Sequence, residues 1–137
     1  MADYSWPLQQ SVYARITGAS PAVAGGRCFD HVPDDAVFPY NRIDGAQAMP
    51  DTGTKNGANG DDGTVSYIDI HSFSRYRGGK ELLDISSRLH DLFDGQALTV
   101  TGRSSALCFI DSTRGPLREA DGLTRHLITT LKIIHRS

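Results

Sequence analysis

The sequence predicts an α+β fold: a mainly antiparallel sheet of about five to six strands packed by two helices, with a long polar loop. Three observations predict it. Apolar residues recur with helical spacing in two separate segments and with strand-like patterning elsewhere. Short turns join the C-terminal strands, which favours antiparallel pairing over crossovers. The 137 residues fit one domain, 1–137, that can bury a core without a metal or a disulfide.

The first helix follows from Leu8, Val12 and Ile16, which form one stripe, with Tyr13 beside it. Ser5 is the expected N-cap, Pro7 fits the first turn, and Gly18 ends the helix. Residues 21–26 read as a loop, 27–29 as a short extended segment, and 33–35 as a turn. Residues 37–43 are extended, with Pro39 restricting them to an edge or a strand start. Between Asp44 and Gly63 there are few large apolar residues, so 45–63 is expected to be an extended flexible loop. Residues 64–75 form a strand with Val65, Tyr67, Asp69, His71 and Phe73 on one face and Ser66, Ile68 and Ile70 on the other. Apolar residues on both faces predict a central strand covered on both sides for part of its length.

Gly78 and Gly79 break that strand, and Leu82, Ile85, Leu89 and Leu92 then mark a second helix over about 80–94. It is expected to pack on Ile68 or Ile70. Residues 97–101 and 107–110 read as short strands about a turn at Gly102 and Arg103. Residues 114–122 read as a polar connection, and 123–135 as a long final strand.

Composition excludes several classes. Hydrophobic residues at 39% and charged residues at 22% give an ordinary folded balance. The net charge of -2 lacks the basic excess of a dedicated nucleic-acid binder. Mean hydropathy is -0.33, and no apolar run approaches a membrane span. Residues 1–4 have neither the basic start nor the apolar core of a secretory signal. Cys28 and Cys108 sit in apolar stretches and are expected to be reduced core thiols. The charge is unevenly spread: residues 1–70 hold nine acids and four bases, a sum of -5, and the remainder sums to +3. Such halves can complement a second copy, or interleave and cancel within one fold.

A search for chemistry finds little. Asp69 and His71 share a strand face and could serve a small cytosolic enzyme or ligand-binding domain together with a nearby Arg. A third metal ligand would have to come from an unrelated segment, and no H-x-x-x-H or C-x-x-C spacing exists, so no metal and no cofactor is expected. His90 is expected to be solvated. No G-x-S-x-G frames a nucleophile, and Asn59 to Gly63 lacks the phosphate-loop frame. The arginines at element boundaries stand out: Arg75 and Arg77 flank Tyr76 where a strand ends, and Arg125 opens the last strand. Arginine there can fork to carboxylates of a neighbouring chain, stack on Tyr76, or pair within the chain with Asp69 or Asp121.

These stretches also carry a resemblance. Phe38-Pro39-Tyr40-Asn41-Arg42-Ile43, then Phe73-Ser74-Arg75-Tyr76-Arg77-Gly78, then Asp121-Gly122-Leu123-Thr124-Arg125-His126 resemble the tail-completion family of tailed phages. That family includes the tail terminators of long-tailed phages and of phage-derived gene transfer agents. The resemblance implies a structural protein with no catalytic residues. It would form a ring, usually hexameric, on the head-proximal end of a tail tube, ending polymerisation and joining the head-completion connector. The particle would be assembled in the bacterial cytoplasm, with no membrane partner. DNA would pass through the lumen without sequence-specific binding. On that view Arg75, Tyr76, Arg77 and Arg125 are candidates for the subunit or partner interface. Asp51, Lys55, Asp61 and Asp62 would lie on a loop facing the lumen or a neighbouring ring.

Overall fold

The computed structural model describes residues 4–51 and 63–136. In chain order it contains helix α1 (Ser5–Thr17), a short turn of 3-10 helix (Ala24–Gly26), and strands β1 (Cys28–Phe29), β2 (Tyr40–Asp51) and β3 (Gly63–Ser74). Helix α2 (Lys80–Phe93) and strands β4 (Gln96–Ala97), β5 (Ser105–Arg118) and β6 (Arg125–Arg136) follow. One six-stranded sheet runs β1-β2-β3-β6-β5-β4, with every pair antiparallel except β1 and β2. The predicted α+β class is the observed one.

Both helices lie on one face of the sheet. Leu8, Val12 and Ile16 of α1 and Leu82, Ile85, Leu89 and Phe93 of α2 join Ile68, Ile70, Leu127, Leu131 and Ile133 in a single core. Cys28 and Cys108 are both buried and unbridged, and burial pushes each thiol up to about 12. His90 is exposed, within reach of the Thr113 hydroxyl at 3.1 Å.

Several boundaries differ from the sequence reading. Tyr4, not Ser5, occupies the N-cap position of α1, and its side chain makes no capping hydrogen bond. Strand β2 runs on to Asp51, opposite Gly63, so residues 45–51 are strand rather than loop. The ladder to β3 holds these small residues through their backbones, which needs no apolar burial, and a register shift between Asp44 and Ala46 accommodates Gly45. Residues 52–62 of the expected loop, with Lys55, Asp61 and Asp62, lie outside the described residues.

Among the described residues, helices cover β3 on one side: Ser66, Ile68, Ile70, Ser72 and Ser74 are buried there, while on the other face Tyr67, Asp69 and His71 are half-buried and Phe73, near the strand end, is buried. Strand β4 is two residues long, although Leu98 and Val100 beyond it are buried. The supposed polar connection is largely strand, because β5 continues to Arg118 through a register shift between Arg114 and Leu117. Gly115 in that shift takes φ +121, where a Cβ would stand 2.7 Å from the His126 carbonyl oxygen. Strand β6 starts at Arg125, which leaves Leu123 in the turn and 66% exposed.

Candidate interaction surface

On the sheet face opposite the helices, side chains of β2, β3, β6 and β5 meet, and among the described residues no further layer covers them. Register sets them in rows. One row is Tyr40, Phe73, His126 and Leu117; the next is Arg42, His71, Ile128 and Arg114. Asp44, Asp69, Thr130 and Ser112 follow, and the far end is apolar, with Met49, Val65, Ile134 and Leu107.

The first two rows are knitted together. Phe73 stacks on His126 at 4.4 Å between centroids and on Tyr40 at 5.1 Å. The Arg42 guanidinium lies 5.2 Å above the Phe73 ring and bonds Asp44 Oδ2 at 3.0 Å. His71 Nε2 is 2.9 Å from Asp44 Oδ2, and His71 Nδ1 is 2.6 Å from His126 Nε2. His126 Nδ1 in turn lies 2.9 Å from Glu119 Oε1. Burial lowers both imidazoles below the ordinary 6.5; Asp44 pulls His71 back up, and Glu119 does the same for His126.

A second cluster forms the corner next to this face. Asp121 caps its own turn: its Oδ1 accepts the backbone N–H groups of Leu123 (2.9 Å) and Thr124 (2.8 Å), and its Oδ2 accepts the Thr124 hydroxyl (2.7 Å). The Thr124 bonds, above all, hold the Asp121 carboxyl below the usual range. Arg75 donates from Nε to Thr124 Oγ1 at 3.2 Å, lies 3.9 Å from Asp121 Oδ2, and places its guanidinium 4.3 Å over Phe38.

The sequence-picked residues therefore divide. Arg75 joins the corner through contacts within the chain, including the Asp121 pairing weighed from sequence, and remains half exposed. Tyr76 is half exposed and edges an open cleft of about 430 Å3 that Val23, Lys80, Glu81, Asp84 and Arg88 also line. Arg77 is exposed, and Arg125 is half-buried opposite Ser74. Asp51 ends β2. Asp69 and His71 share a face as expected but do not converge on one point: Asp69 accepts the Thr130 hydroxyl at 2.7 Å, whereas His71 is engaged with Asp44 and His126. Sequence reasoning missed Glu119 and Asp44, and it named Phe38 and His126 only within the stretches that carry the resemblance, not as site residues. The one usable signal was strand alternation, which put His71 and Phe73 on one face.

Comparison with known proteins gives a consistent answer. Residues 10–136 match the family model described as Tail completion protein gp17. No curated protein sequence matches the chain. A chain in a solved structure described as the virion of a native gene transfer agent (GTA) particle superposes with a TM-score of 0.74. The two are 15% identical, and the match covers 95% of each chain, so what they share is the fold.

Proposed function

Because this chain belongs to the tail-completion protein gp17 family, we propose that it closes the head-proximal end of a phage-type tail tube as a ring, with six copies as the expected number. The observation that carries this reading is the family match over residues 10–136, nearly the whole chain. The role is structural. The ring ends tube polymerisation and presents the surface that meets the head-completion connector, and DNA passes through its lumen. The gene transfer agent particle of the structural relative is one setting in which such a fold occurs.

The charge distribution supports a head-to-tail contact between copies. The -5 half of one subunit can face the +3 half of the next, and heterologous contacts of this kind close into rings when the rotation allows. Arg75, Tyr76, Arg77 and Arg125 lie at or near the corner beyond the end of β3, where such a contact would be made. The segment with Asp51, Lys55, Asp61 and Asp62 would face the lumen or the adjacent ring. An acidic lining would repel a phosphate backbone within about 8 Å at physiological salt and so let it slide.

The test is to reverse Arg75 and Arg77 together to Glu and to examine particles by negative-stain electron microscopy. Overgrown or headless tails are the expected result. Tails of normal length, joined normally to heads, would remove these residues from the interface. A deletion of the whole chain that still gives normal particles would remove the tail-completion role itself.

A further inference from the structure

The four groups Asp44, His71, His126 and Glu119 form an unbroken lateral chain from β2 through β3 and β6 to the turn after β5. The contacts measure 2.9, 2.6 and 2.9 Å in that order. Proton counting gives the chain its character. Three hydrogen bonds along four ring nitrogens require three protons: one toward each carboxylate and one between the rings. Two neutral imidazoles carry only two. All three contacts are therefore satisfied only when the pair carries one positive charge. With two protons, one contact lacks its donor. With four, two N–H groups point at each other across 2.6 Å.

We propose that this chain is a proton-operated latch: one excess proton on the histidine pair ties the β5–β6 turn and β2 together across the central strands, and a second excess proton breaks the tie between the two rings. The attachment to the turn is direct. Glu119 accepts from His126, its backbone N–H bonds the Thr124 carbonyl at 2.9 Å, and its carbonyl receives the Gly122 N–H at 3.1 Å. The same turn carries Asp121, Thr124 and the exposed Leu123, so parting His126 from His71 shifts, through Glu119, the corner that Arg75 joins.

The surroundings favour one charge and oppose two. Asp44 and Asp69 face His71, and Glu119 faces His126, which together attract a proton; Arg42 from β2 and Arg114 from β5 oppose a further one. Phe73, stacked on His126 with 10° between the ring planes, holds that ring in place. Burial delays the first uptake to below the ordinary imidazole value, and the charged first ring delays the second further. The latch is tightest between the two steps.

Ring-nitrogen and amide NMR on the isolated 137-residue chain tests this. As pH falls from 8 to 4.5, the ring nitrogens of His71 and His126 should report two separate steps shared by both rings. The amides of Gly122, Leu123 and Thr124 should move one way in the first step and back in the second, while core amides such as Leu131 stay still. Glu119→Gln keeps an acceptor for His126 but removes the charge. It should shift the first step to lower pH and leave the spectrum of the core unchanged. His71→Gln should leave His126 with a single step and the turn amides with a monotonic response. Two rings titrating independently, each in one step near 6.5, would overturn the proposal. So would turn amides that ignore both steps.

Discussion

Replacing His135 by Asn should remove a defined part of this protein's sensitivity to acid. His135 is 1% exposed near the end of β6. Its Nδ1 accepts a hydrogen bond from Arg103 Nε at 3.0 Å, which places its single proton on Nε2, 2.9 Å from Ser66 Oγ. A second proton would have to go on Nδ1, breaking the Arg103 bond and setting two cations side by side. Burial, with Arg103 adding to it, accordingly lowers this imidazole to about 4. Because the folded value lies below the unfolded 6.5, the contribution to stability is complete above 6.5 and is lost as pH falls toward 4. From 6.5 to pH 5 is about 1.5 units at about 1.4 kcal/mol each, or about 2 kcal/mol. At roughly 3–4 °C per kcal/mol for a domain of this size, that is about 7 °C in Tm. The Asn variant keeps an acceptor for Arg103 and cannot titrate. It should be less stable than the parent at pH 7 by about 1–3 kcal/mol, through the lost Ser66 bond and lost volume. Between pH 7 and pH 5 it should lose about 2 kcal/mol less than the parent does. Urea titrations at the two pH values measure both differences. Equal acid losses in parent and variant would show that His135 is not held neutral by Arg103 and burial.

Other expectations concern the core and the backbone. Leu89 of α2 is fully buried, so Leu89→Ala should cost about 2–5 kcal/mol, read as a lower urea midpoint at unchanged slope; no change would mean that α2 does not pack through this face. Gly115→Ala should cost at least about 2 kcal/mol in Tm analysis, because φ is +121 and the added Cβ meets backbone atoms of β6, whereas Gly95→Ala, also at positive φ but with open space, should cost less.

The elements that the sequence disclosed are those whose burial repeats with a period. Leu82, Ile85 and Leu89 mark α2, and Leu8, Val12 and Ile16 mark α1, because one-sided burial forces the spacing. The second half of β5 has no such mark. Residues 111–115 and 117–118 are exposed near the edge of the sheet, so backbone pairing to β6 holds them without an apolar pattern, and Gly115 and Pro116 there read as breakers. Residues 45–51 of β2 are likewise held by backbone pairing, here to β3, and carry no apolar pattern. The His71–His126 contact is still harder to see, since its partners are 55 residues apart in the chain. Nothing near either histidine announces the other. Their meeting follows from register: Ile68 lies opposite Leu131, and Ser72 opposite Leu127, with their side chains on the helix side. Given that alignment, Phe73 must lie opposite His126, and His71 one row away, on the side away from the helices. Sliding β6 by one residue would bury His126 and expose Leu127, a loss of about 1.5–3 kcal/mol for each apolar side chain turned outward. The core therefore fixes the histidine pair even though the pair adds nothing to the core.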